Sequence, residues 1–238
     1  MSLRHLLPIT LLVIGLITAF LRVQPGLNGA WQFVEPSGTT IMLTIADAYL
    51  METAYEPDRF HSSRGGKYQQ TDKGFTVLVE FDTKDSNRVG QLETYQVTWR
   101  DGRLVVTSPS GSQTYDRVNE PSTSSPLTGL WRITGRANEA GQLTTMQRGA
   151  RKTLKLLTGS RFQWVAINPE TKQFSGTGGG TYALKEGKYT ETIDFFSRDN
   201  SRVGRSLTFE ASVSPNEWRH SGRSSTGGRV DEVWSREK

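Results

Sequence analysis

The sequence predicts an all-β protein: two tandem copies of one small antiparallel up-and-down barrel, set behind an N-terminal hydrophobic helix. Three observations predict it. Short landmarks recur in the same order in both halves of the chain. Apolar residues alternate with polar ones at the period of two that a half-buried strand requires. Turn residues such as Asp101-Gly102, Glu186-Gly187 and Pro215-Asn216 follow the alternating runs at short intervals, so each strand turns directly into the next. A meander of this kind favours closure into a barrel, which also removes unpaired strand edges. A flattened two-sheet sandwich is the alternative.

The N-terminal segment, residues 1–25, differs sharply from the rest. Arg4 and His5 precede an apolar run from Leu6 to Leu21, and Arg22 follows. A basic start before an apolar stretch reads as an export signal. No small-x-small cleavage site precedes Gly26, so an uncleaved signal-anchor is equally open, although the run is shorter than the ~20 residues of a typical span. Either way the expected location is extracytoplasmic: secreted, periplasmic, or tethered to a membrane by this segment.

The first repeat is expected over residues 27–119 and the second over 127–238. Leu27-Asn28-Gly29-Ala30-Trp31 recurs as Leu127-Thr128-Gly129-Leu130-Trp131. Gly65-Gly66-Lys67-Tyr68 recurs as Gly179-Gly180-Thr181-Tyr182, and the loop Asp85 to Gly90 recurs as Asp199 to Gly204. Between these later landmarks the offset is constant (Gly65 to Gly179, Asp85 to Asp199), whereas the opening pair lies closer together, so the second copy has gained residues around Ala137–Arg151. Within that gain, Ala140–Arg151 is the one stretch whose apolar spacing suits a helix. Residues 120–126, rich in Pro and Ser, read as a linker.

In the first copy, Phe75, Val77, Val79 and Phe81 share one face of a strand, and the equivalent positions in the second are Tyr189, Glu191, Ile193 and Phe195. Leu92–Trp99, Arg103–Thr107, Phe162–Ile167, Leu207–Val213 and Arg229–Ser235 read as further strands. Gly176-Thr177-Gly178-Gly179-Gly180 lacks the Lys-Ser/Thr ending of a phosphate loop and precedes no helix, so it reads as a strand bend or bulge. Asp85 with Arg88, and Asp199 with Arg202, are expected to hold their loops by an ion pair or a turn cap. A cationic lip over the barrel mouth is the functional alternative.

Composition excludes several chemistries. The chain of 238 residues has no cysteine, which removes disulfides, thiol nucleophiles, cysteine-based zinc or iron–sulfur sites and a lipidated N-terminal Cys. Three histidines, His5, His61 and His220, are split between the N-terminal segment and the two copies, so no metal site is expected and no cofactor is implied. The net charge of +5 divides unevenly, the first copy acidic and the second basic, so the halves attract one another weakly. Without stacking aromatics interleaved in a basic stripe, no nucleic-acid partner is expected.

Gly29-x-Trp31 and Gly129-x-Trp131 at the first strand of each copy resemble the opening of lipocalin-type (calycin) barrels. The stretch Gly180-Thr181-Tyr182, Tyr189-Thr190-Glu191 and Glu232-Val233-Trp234-x-Arg236 is similar to lipocalin-like proteins exported by Bacteroidetes-type bacteria. The resemblance implies that Trp31 and Trp131 plug the closed ends of the two barrels and that late-strand arginines, Arg117 and Arg236, lie across them as cation–π partners.

The clearest difference between the copies is Val77 against Glu191. If Val77 faces the first core, Glu191 faces the second, where an ionised carboxylate needs a partner. His220 shares a strand face with Trp218 and is the partner the spacing offers. Phe162, Trp164 and Phe209 supply aromatic walls. The leading expectation is a non-enzymatic binding protein whose second barrel holds a small apolar or amphipathic ligand against Trp164, Phe209 and Trp218, with Glu191 and His220 orienting its polar end. The first copy, with apolar inward positions, is read as structural support. Two alternatives stay open: a structural or interaction module of the cell envelope with side-chain-filled barrels, and a barrel enzyme using Glu191 and His220 as an acid–base pair. No catalytic residue is assigned.

Overall fold

The computed structural model describes residues 26–121, 125–138 and 140–237. The N-terminal segment 1–25, and with it the hydrophobic helix, lies outside the described residues, as does part of the linker 120–126. The first copy folds as strands β1 (Gly29–Val34), β2 (Thr40–Ala46), β3 (Tyr49–Glu56), β4 (Arg59–Thr71), β5 (Gly74–Asp82), β6 (Leu92–Arg100), β7 (Arg103–Ser108) and β8 (Gly111–Arg117). Each pairs antiparallel with the next, and β8 closes on β1, so the copy is an eight-stranded up-and-down barrel. The second copy contains β9 (Gly129–Ala137), β10 (Leu143–Thr145), β11 (Lys152–Leu157), β12 (Arg161–Asn168), β13 (Gln173–Lys185), β14 (Lys188–Phe196), β15 (Ser206–Val213), β16 (Glu217–Arg223) and β17 (Arg229–Arg236). Here β17 returns to β9 and closes a barrel of the same topology.

The extra residues of the second copy are not helical. Leu143–Thr145 instead form β10, which pairs with Gly135–Ala137 at the far end of β9, on the edge that β11 occupies nearer its start. The sparse apolar content of this stretch gives a helix nothing to bury: Leu143 and Met146 are both exposed.

A bulge overrides the simple alternation in each copy. The ladder slips by one residue between Gly65 and Gly66, where Glu80 is left over on the opposing strand, and between Gly179 and Gly180, where Asp194 is left over. One added residue reverses the facing of everything beyond it. Phe75, Val77 and Val79 therefore line the first interior, whereas Phe81 turns outward, and Phe195 does the same in the second copy. Glycine is required at the bulge, since a Cβ on Gly180 would overlap the Thr192 carbonyl oxygen and one on Gly66 the Leu78 carbonyl oxygen. Gly180→Ala is expected to cost about 1–3 kcal/mol, read by chemical denaturation.

The outward-turned residues explain how the halves associate. Apolar groups from the outer faces of both barrels form shared clusters: Ala46, Tyr49, Met51 and Phe81 with Leu130, Leu154, Leu156, Val165 and Ile167, and Met42 and Tyr55 with Phe195. The cores are thus not wholly private to each copy, and the association is far more than a weak attraction between opposite net charges. Polar groups inside the interface are paired. The Gln163 amide accepts from Thr53 Oγ1 at 2.9 Å and donates to Ser63 Oγ at 2.9 Å and Thr177 Oγ1 at 3.0 Å. Glu80 accepts from Tyr49 Oη and from Lys152 Nζ, each at 2.8 Å. Asp47 accepts from the Leu130 amide at 3.0 Å and meets Arg236 at 3.3 Å. Glu120 accepts from the amides of Ala30 and Ser160, joining the start of one barrel to the other.

Candidate functional site

Each barrel is stoppered at one end by its tryptophan. Trp31 Nε1 donates to the Leu27 carbonyl at 2.8 Å and Trp131 Nε1 to the Leu127 carbonyl at 2.7 Å. Trp31 lies opposite Arg117 in the β1–β8 register, and Trp131 opposite Arg236 in β9–β17. The guanidinium carbon is 5.1 Å from the Trp31 ring centroid in the first barrel and 4.1 Å from the Trp131 ring in the second. Arg236 also donates to the carbonyls of Thr128, Pro126 and Pro215.

The strand registers of the two interiors correspond, and among the positions where their residues differ three stand out. Leu43 faces Trp31 across β1–β2 as Lys155 faces Trp131 across β9–β11. Val77 pairs with Glu93 as Glu191 pairs with Leu207. Val106 pairs with Val97 as His220 pairs with Ala211. Where the first barrel has Leu, Val and Val, the second therefore buries Lys155, Glu191 and His220. A buried ionisable group costs free energy unless it is paired, and at these three positions the first barrel shows that apolar residues pack equally well.

Their arrangement is specific. The Lys155 ammonium stands 5.2–5.6 Å from the ring centroids of Phe162, Tyr189, Trp218 and Trp234, a desolvated cation held among π faces. It donates to Glu191 Oε2 at 3.3 Å, and Tyr189 Oη donates to the same oxygen at 3.0 Å. Burial, then the Glu191 charge, push the Tyr189 phenol well above its usual value, so it stays a donor. The partner of Glu191 is thus Lys155 rather than His220. His220 Nε2 lies 3.5 Å from Glu232 Oε2, and Nδ1 has no hydrogen-bond partner among the described residues. The indole nitrogens of Trp218 and Trp234 are likewise buried without a partner. Trp218 and Phe209 pack on His220, with ring centroids 4.7 and 4.8 Å away.

Burial first, then the charges of Lys155 and Arg136, hold His220 well below its ordinary value of 6.5, so it is neutral in the folded chain. The unfolded chain takes up this proton near pH 6.5 and the folded chain does not, so stability is lost as pH falls below that point. The expected slope is about 1.4 kcal/mol per pH unit just below pH 6, and His220→Val should flatten it in equilibrium unfolding between pH 7 and 5.

These groups line a cavity of about 680 Å³ in the second barrel, walled by Phe162, Trp164, Phe196 and Phe209 and reaching Lys155, Glu191, His220 and Trp234. Trp164 is part-exposed and meets Phe196 edge-on at 5.5 Å. Trp218 lies behind this wall, fully buried. Arg136, Arg151, Arg198 and Arg202 ring the opening. Arg202 pairs with Asp199, which also caps its own turn through the Ser201 amide. In the first copy Asp85 caps the matching turn, but Arg88 turns to Glu93 and Asp82 instead.

The first barrel also has a cavity, of about 300 Å³, adjoining one of about 680 Å³ that shares Glu52, Arg64, Glu93 and Tyr95; it has apolar walls and a charged network not expected from the sequence. Arg64 donates to Glu52 at 2.8 Å and to Tyr95 Oη at 2.9 Å, Tyr115 donates to Glu52 at 3.0 Å, and Tyr95 donates to Glu93. Its polar groups satisfy one another, which those of the second barrel do not. His61 is remote, at 3.0 Å from Glu56. Among the described residues no cluster of metal-ligating side chains occurs.

Lys155 is the site residue that sequence reasoning missed. In Lys152-Thr153-Leu154-Lys155-Leu156-Leu157 the leucines at 154 and 156 look like the core-facing set, which places Lys155 in solvent. They do face apolar surroundings, but those of the neighbouring barrel, and Lys155 points into its own. No sequence offset exposes it: the offset of the Trp pair sets Leu43 against Leu143 and that of the later landmarks sets it against Leu157, so only the strand register brings Lys155 to the Leu43 position.

No protein-family model matches the chain, and no curated protein matches it. Among solved structures the chain is similar to a lipocalin-like protein from Bacteroides uniformis, with 14% identity and a TM-score of 0.34, over 48% of this chain and 100% of that one.

Proposed function

We propose that this chain is a non-enzymatic binding protein that works outside the cytoplasm, with the second barrel as the receptacle for a small amphipathic molecule and the first as its brace. The supporting observation is the cavity of about 680 Å³, within the size range of small-molecule sites, whose lining includes His220 and Trp234, each with a buried polar atom that has no partner among the described residues. Buried polar groups are ordinarily paired, so such atoms beside a cavity are suited to a ligand's polar end. Phe209 and Trp164 form the apolar wall, Trp218 stiffens it from behind, and Glu191 fixes the Lys155 ammonium.

Native mass spectrometry of the full chain from its own host tests this, with a co-purifying small molecule as the expected result. In Glu191→Gln that molecule should be retained less well; unchanged retention together with unchanged stability removes Glu191 from the site. Export by the N-terminal segment, with membrane tethering if it is uncleaved, predicts recovery from the extracytoplasmic or membrane fraction. Recovery from the cytosol would remove that part of the reading.

A further inference from the structure

We infer, on the reading that the second barrel is a receptacle, that its ligand is a planar, ring-bearing carboxylate bound acid end inward against Lys155 and Trp234. Three features support this, beginning with an excess of donors at the inner end of the cavity. Lys155 carries three N–H groups and spends one on Glu191, and the indole N–H of Trp234 has no partner. Trp218 adds another unpartnered N–H just behind. His220, only 3% exposed and neutral, turns Nε2 to the Glu232 carboxylate, so its unpartnered Nδ1 is an acceptor and the free donors here are those of Lys155 and the two indoles. A ligand that satisfies this end must bring acceptors, and a carboxylate brings two oxygens.

Charge points the same way. The cavity is lined by Arg136, Arg151, Lys155, Arg198 and Arg202 against the carboxylates of Glu191 and Glu232. Among the described residues Arg151 and Arg198 pair with no carboxylate; Arg198 donates only to the Ser175 carbonyl. A low-dielectric well with a cationic rim concentrates anions and disfavours cations. The first barrel, whose two adjoining cavities are lined by Glu35, Glu52, Asp82 and Glu93 against Arg64, Lys84 and Arg88, lacks this cationic excess, so the sign is particular to the second copy and not a property of the topology.

The walls set the shape. Between the inner end and the rim the cavity wall includes four aromatic residues, Phe162, Trp164, Phe196 and Phe209, beside the smaller Ala166, Ile193, Leu207 and Val230. A flat ring stacks against such faces with little conformational entropy to lose, unlike a flexible alkyl chain.

Isothermal titration of the full chain at pH 7 with 2-naphthoate, naphthalene-2-carboxamide and 2-naphthylmethylamine tests the inference, because the acid and the amide share one shape. The acid is expected to bind at least about tenfold more tightly than the amide, and the amine more weakly than either. In the variant Lys155→Leu/Glu191→Val/His220→Val, which restores the residues of the first barrel, acid and amide should bind alike; circular dichroism and a cooperative melt verify that it is folded. Equal binding of acid and amide to the natural chain overturns the inference and leaves the receptacle reading standing. So does an acid preference that survives unchanged in the triple variant. Should neither probe bind while native mass spectrometry shows a bound molecule, the ligand class alone is wrong. No probe binding and no co-purifying molecule would overturn both.

Discussion

Lys155→Met lowers the stability of the folded chain at pH 7 by about 3–5 kcal/mol, measured by denaturant unfolding, because it strands Glu191 in a dry interior. The side chain of Met is close in size to Leu43, its counterpart in the first barrel, so lost packing contributes little. The cost lies in the carboxylate left with only the Tyr189 hydroxyl. Glu191→Gln in the same background should therefore restore most of the loss. If the double variant is as unstable as the single one, Lys155 supports the barrel by packing, and the ion pair is not what matters.

Leu154→Asp should be at least as disruptive, and in a different way. Leu154 is fully buried on the outer face of β11, in the cluster that Ala46, Tyr49, Met51 and Phe81 build from the other barrel. A carboxylate there has no partner, and its burial opposes docking without touching either interior. The natural chain is expected to melt in one calorimetric transition, since the halves share cores, and the variant in two, with the less stable barrel losing roughly 4 kcal/mol or more. Two separate transitions in the natural chain would show that the interface does not couple the barrels.

Much of the architecture was legible before any coordinates. The paired Gly-x-Trp openings, the loops around Asp85 and Asp199 and the alternating runs locate the strands of β5, β6, β7, β12, β15 and β17 to within a residue or two. Part of the site was also legible, because aligning the copies sets Glu191 against Val77 and strand phase turns His220 inward beside Trp218. What the alignment did not supply was who meets whom. Glu191 and His220 share an interior yet take different partners, Lys155 from β11 and Glu232 from directly across the β16–β17 hairpin.

By itself the sequence determined the repeated all-β plan, the strand phase up to each bulge, and the presence of an ionisable pair of positions in one copy only, because these follow from local periodicity and from comparing one half with the other. Tertiary structure alone decided that Phe81 and Phe195 face outward, that Leu154 and Leu156 serve a neighbour's core, and that Lys155 lies inside. The physical reason is common to all three: a strand has two faces, alternation tells them apart but does not say what covers each, and here docking of the second barrel makes the outer face as dry as the inner one.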